Sequence, residues 1–198
     1  MGGKSAGKIT GYGEKEMKRK LTGQWFSSLL LIFMFAGCGY STRSLIADKY
    51  RTIYIQPFVN KVDISNESYQ ANKYRIYRPT LETDITQSVV NKFLLDGNLR
   101  PINSEEADLL LKGELLEFRR DPLRYSNDDT VTEYRLNIVV NLSFLDKKEN
   151  KLLWSENNFT GDTTYFTTGA NAKAESVAIN DALSDLSRRI VERAVEQW

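Results

Sequence analysis

The chain has no histidine and a single cysteine among its 198 residues. Lack of histidine removes the usual general base at neutral pH, the Ser-His nucleophile pairs and His-ligated metal sites. One thiol cannot close an internal disulfide, and it cannot build a cysteine zinc site. Long apolar runs are equally scarce. The one candidate, residues 25–36, is shorter than the ~20 residues that a spanning helix needs. Charge of one sign is not in excess: 27 Lys and Arg face 26 Asp and Glu, a net +1. No global basic field therefore suggests nucleic acid. What is present, 41% hydrophobic and 27% charged residues, fits an ordinary globular chain. Its length suits one domain with a real core and not two comfortable ones.

The charge is unevenly placed. Lys4, Lys8, Lys15, Lys18, Arg19 and Lys20 precede Cys38 against only Glu14 and Glu16, so the rest of the chain is mildly acidic. "MKRKLTGQWFSSLLLIFMFAGC" begins at Met17 with three basic residues, continues through the apolar run and ends in small residues before Cys38. A positive head, a short apolar core and a small-residue cleavage site describe a secretory signal peptide. Phe35-Ala36-Gly37-Cys38 resembles the lipobox of bacterial lipoproteins, with Phe where that motif usually has Leu. The resemblance makes Cys38 the acylated first residue of the mature chain. Each buried CH₂ of an acyl chain contributes about 0.8 kcal/mol to anchoring. A buried core cysteine or an uncleaved signal anchor is the alternative. Gly39, in place of the Asp that retains such proteins in the inner membrane, implies an outer-membrane destination on the periplasmic side. Translation starts at Met1 or Met17. "GGKSAGKI" near the start nearly fits a phosphate loop, but Ile9 stands where Ser or Thr should bind magnesium and no strand precedes it.

This organisation gives residues 1–37 as leader and signal peptide, 38–50 as a lipidated linker and 51–198 as the folded domain. "RTIYIQPF" (51–58) alternates as a strand ending at Pro57. Residues 60–78 have no periodicity and read as a long loop. Leu81, Ile85, Val89 and Phe93 recur every four residues and predict a helix capped by Thr80, with Glu82 and Asp84 in its first turn and Gly97 at its end. "LRPIN" (99–103) predicts a short strand, and residues 107–120 a longer one. In 131–144, Tyr134, Leu136, Ile138, Val140, Leu142 and Phe144 share one face. Arg135, Asn137, Asn141 and Ser143 share the other, with Val139 breaking the polar set. One face is buried and one is wet. "DKKEN" (146–150) turns the chain into a hairpin partner, 151–161. Residues 171–197 predict a helix with the stripe Ile179, Leu183, Leu186, Ile190 and Ala194, and with Arg188, Arg189 and Arg193 toward its C-terminal end. The expected fold is α+β. It has two layers, a mostly antiparallel four- to five-stranded sheet covered on one face by two helices, in the order β-α-β-β-β-β-α with the second strand short.

The order of "CGY", "TIYIQPF", "NKFLLDGNLRPINSEEADLLLKGELLEF", "VTEYRLNIVVNLSF" and "KLLW", followed by a C-terminal helix, resembles the lipopolysaccharide-assembly lipoprotein family LptE. The likeness runs from Cys38 to the C-terminus. It implies an anchored β-α-β-β-β-α core that plugs the lumen of the large β-barrel LptD, helps it assemble and assists lipopolysaccharide delivery to the cell surface. A wet sheet face bearing Asn, Arg and Ser suits the polar interior of such a barrel. Two other binding classes share an opening strand ending in "PF", a following helix and a lipobox: lipoprotein activators of a peptidoglycan synthase and curli-type secretion subunits.

No catalytic constellation and no cofactor beyond a lipid on Cys38 is expected. The one S-x-x-K match, Ser5 to Lys8, falls in the leader. A ligand would be anionic, since lipid A carries phosphates that clustered arginines bind through charge-assisted hydrogen bonds. "RRDPLRY" offers Arg119, Arg120 and Arg124, with Tyr125 beside them, around a predicted loop between two strands. The competing reading is a solvated hairpin loop partly neutralised by Asp121, Asp128 and Asp129. Arg135 is a second candidate, or a cross-strand salt-bridge partner. Tyr69, Tyr74 and Tyr77, with Lys73, Arg75 and Arg78, could serve a barrel or membrane interface, or only pack a loop onto the domain.

Overall fold

A computed structural model describes residues 2–3, 49–62, 74–76, 78–103 and 106–195. The apolar run 25–36, Cys38, Tyr69, Lys73 and Tyr77 lie outside them. The elements below belong to the unit Arg43–Trp198. In chain order they are β1 (Thr52–Ile55), β2 (Val59–Asn60), α1 (Leu81–Asp96), β3 (Arg100–Pro101), β4 (Leu109–Tyr125), β5 (Val131–Asp146), β6 (Lys151–Phe166) and α2 (Glu175–Val195). The sheet runs β3-β1-β4-β5-β6, with the two-residue β2 pairing with β4 beyond β1. This is the α+β domain that the patterning predicts, with β2 added. The three long strands form an antiparallel meander. β1 is parallel to both β3 and β4, because a crossover through α1 separates it from β3.

Both helices contribute to one buried cluster on a single sheet face. The predicted stripe of α1 is buried, as are Ile179, Leu183, Leu186, Ile190 and Ala194 of α2. Leu136, Ile138, Val140, Leu142 and Phe144 of β5 join them, and Phe144 stacks on Trp154 with ring centroids 5.0 Å apart. The Ser88 hydroxyl fastens the helices together, reaching the Leu183 carbonyl at 3.2 Å and Ser187 Oγ at 3.1 Å. Gly161 lets α2 approach β6 closely: a Cβ there would lie 2.3 Å from Leu186 Cβ and 2.6 Å from its Cα.

Two details differ from the sequence expectation. Thr80 occupies the cap position of α1 in a left-handed conformation (φ 65°). Its hydroxyl bonds the Pro79 carbonyl instead of capping the helix. Gly97 does end the helix, with φ 77° and its N–H on the Phe93 carbonyl. The second difference is strand length: β4 continues to Tyr125, and β6 to Phe166. The arginines expected in a loop therefore stand on a strand, and the loop that closes this hairpin is 126–130.

Part of the long loop is built into the sheet. Tyr74 and Ile76 pair with β4, through Arg120 N–H to the Tyr74 carbonyl (2.7 Å) and Ile76 N–H to the Phe118 carbonyl (2.8 Å). Past Arg120 that edge of β4 has no described neighbour. Pro122, two residues on, would aim its N–H the same way, so the missing donor costs nothing there. The sheet thus has a distal end at 126–130 and a proximal end where the chain arrives at Lys49.

Candidate functional site

At the proximal end two carboxylates hold the incoming chain. Asp146 is 1% exposed, yet it accepts hydrogen bonds from the Tyr50 hydroxyl (2.6 Å) and Glu149 N–H (3.0 Å), with Lys49 Nζ at 3.6 Å. Burial pushes its carboxyl up, but these donors outweigh burial and hold it below the usual carboxylate range. Asp108 accepts from Arg51 N–H, Thr52 N–H and the Thr52 hydroxyl, all within 3.0 Å, and pairs with Lys148 at 2.6 Å. Burial again acts upward, and the Lys148 ammonium with the three donors leaves the carboxyl well below its ordinary value. Periodicity could not show this latch, because no pattern relates Asp108 and Asp146 to residues 49–52 across such separations.

The three candidate arginines do not form one cluster. Strand alternation sends Arg119 and Arg120 to opposite faces of the sheet. Arg120 lies on the helix side. It pairs with Glu175 at the start of α2 and sits 5.0 Å over the Tyr134 ring, which stacks on Tyr165 at 5.8 Å. Partial burial acts against its charge, and Glu175 more than compensates, raising its pKa. Arg119 lies on the uncovered face, 3.2 Å from Asp121 and 3.9 Å from Glu117. Arg124, 66% exposed, lies 3.5 Å from Glu133 and 5.8 Å from the Phe166 ring. Each arginine of the motif thus faces a carboxylate. The tip beyond them is acidic: Ser126 hydrogen-bonds to Asp128 and holds its carboxyl low, and Asp129 turns the chain with φ 57°.

The uncovered face is a charge-balanced polar lattice. Arg75 pairs with Glu117, Asn137 Nδ2 donates to Asp121 at 2.8 Å, and Arg135 lies 3.6 Å from Asp162. Arg135 is thus the cross-strand ion-pair partner that the sequence suggested. Arg78 lies 3.5 Å from Asp84 of α1, apart from this lattice. Val139, the apolar residue among the polar set, is 9% exposed, in register between Glu117 and Thr160. Among the described residues no group of three or more His, Cys, Asp or Glu is placed to hold a metal ion. No described helix is long and apolar enough to cross a membrane.

No curated protein matches this chain. Among solved structures, a protein from Xanthomonas campestris is 15% identical, with a TM-score of 0.49, covering 73% of this chain and 84% of its own. A minor lipoprotein from Acinetobacter baumannii is 17% identical, with a TM-score of 0.45, covering 74% and 94%. Rare lipoprotein B from Shewanella oneidensis is 13% identical, with a TM-score of 0.39, covering 72% and 89%. The family model described as lipopolysaccharide-assembly, LptE, matches residues 50–194, from the latch at Tyr50 to the last turn of α2. This chain belongs to the lipopolysaccharide-assembly family LptE.

Proposed function

We propose that this protein is a non-enzymatic, lipid-anchored outer-membrane subunit that plugs and helps assemble an LptD-like β-barrel for lipopolysaccharide transport to the cell surface. The observation that carries this reading is the uncovered sheet face. Its Arg, Asp, Glu and Asn side chains neutralise one another, and the interior of an outer-membrane barrel is polar. A barrel wall can meet such a face without burying unpaired charge. Acylation of Cys38 would hold the domain at the membrane, and no chemistry is required of it.

Within this reading Arg119, Arg120 and Arg124 contact lipopolysaccharide phosphates. They do so from two faces of β4, so a phosphate must displace or share a carboxylate at each. Arg124, the most exposed, is the first to be available. The plug reading is tested by photo-crosslinking in intact envelopes from Asn141 and Ser143 on the uncovered face. The expected product is one adduct with a large β-barrel. Adducts only with peptidoglycan-synthesis proteins or with other copies of this chain would overturn it.

A further inference from the structure

The proximal end carries a set of side chains that the latch, the core and the polar lattice do not use. Leu94 and Leu95, at the C-terminal end of α1, are 58% and 84% exposed. Leu152 is 53% exposed, in register with Leu145 and through it with Leu110, which makes an apolar row on the otherwise polar face. Register places these leucines at the same end: β3, directly after α1, pairs with the start of β1, and Leu110 and Leu145 pair near the start of β4. At the same end Arg51, Arg100 and Lys151 are exposed, spread from the β3 edge to the β6 edge, and their side chains have no carboxylate within 4.0 Å among the described residues. The distal arginines all have one.

We propose that the proximal end rests on a phospholipid surface, with Leu94, Leu95 and Leu152 at the headgroup boundary and Arg51, Arg100 and Lys151 on lipid phosphates. Exposed leucines beside unpaired cations are what an interfacial contact requires. The chain outside the fold argues for the same occupant. Cys38 lies eleven residues before Lys49, and at most ~3.6 Å per residue this tether keeps the latch within about 40 Å of an acylated Cys38. The inference rests on that acylation. The distal hairpin then points away from the bilayer.

The test uses the mature lipidated protein reconstituted into phosphatidylethanolamine–phosphatidylglycerol vesicles that contain brominated acyl chains. Leu95→Cys, Leu152→Cys and Asn127→Cys are each labelled with a fluorophore; Cys38 is blocked by its lipid, and the mass of the same sample reports whether it is acylated. Quenching at positions 95 and 152 at least threefold stronger than at 127 is expected. Combining Arg51→Glu, Arg100→Glu and Lys151→Glu should bring it down to the level at 127. Equal quenching at all three positions in acylated protein overturns the inference while leaving the anchor intact. Shielding at 95 and 152 that appears only with a co-purified barrel also overturns it, in favour of a protein contact. An unacylated mass refutes the anchor and this contact together.

Discussion

Asp108 and Asp146 show how much one side chain can hold. Each is a carboxylate at the edge of the core, stabilised by donors from the arriving chain. Both bind protons less readily when folded than when unfolded. Their stabilisation is therefore complete above the ordinary value of 3.8 and is lost as pH falls toward the depressed folded values. Urea unfolding should show stability declining below about pH 4. Asp108→Asn should cost about 2 kcal/mol at neutral pH and flatten that decline. An unchanged acid profile would mean that the latch is not closed in solution. The arginines separate by the same reasoning. Arg124→Ala should alter stability by less than about 0.5 kcal/mol, as exposed pairs do. Arg120→Ala should cost about 1–2 kcal/mol, because it loses a ring contact as well as its partner Glu175. Lipopolysaccharide binding is then read on Arg124→Ala without a folding defect, and undiminished binding by the triple alanine variant would end the phosphate assignment.

Among the elements, α2 comes close to β6 at Gly161. Gly161→Ala should destabilise by about 3 kcal/mol in thermal or urea unfolding, since Leu186 backbone must move. A neutral substitution would show that α2 packs farther from the sheet. Elements with strong periodicity were legible from sequence: the four-residue spacing of α1 and the alternation of β5 both mark residues that are buried, Tyr134 alone of the β5 set being only partly covered. The course of β4 was not legible, because "DPLRY" carries turn-forming residues while Pro122 falls on an edge without a neighbour. The left-handed Thr80 was hidden for a related reason. A threonine before a helix signals a cap, and only the path of the preceding chain decides otherwise. The pairing of Tyr74 and Ile76 with β4 depends on long-range register that no local pattern encodes.

On the scale of the whole molecule, the fold separates a core-side face, a neutralised polar face and two unlike ends. Family and fold class were within reach of the sequence because the order of motifs survives where each motif is short. The face on which each arginine lies was not, since that depends on the register shifts between Leu115 and Glu117 and between Pro122 and Arg124. Under the proposed anchoring, Cys38→Ser should leave the domain's unfolding unchanged, since Cys38 lies outside the family-matched residues 50–194, and should release the protein from the membrane fraction. The proposed role stands on partnership with a barrel. The most direct measurement is affinity purification of the full-length protein from its own cell envelope in mild detergent, with partners identified by mass spectrometry. One large β-barrel in stoichiometric amount is the expected partner. A cell-wall synthase, or a ring of this chain with itself, would contradict it.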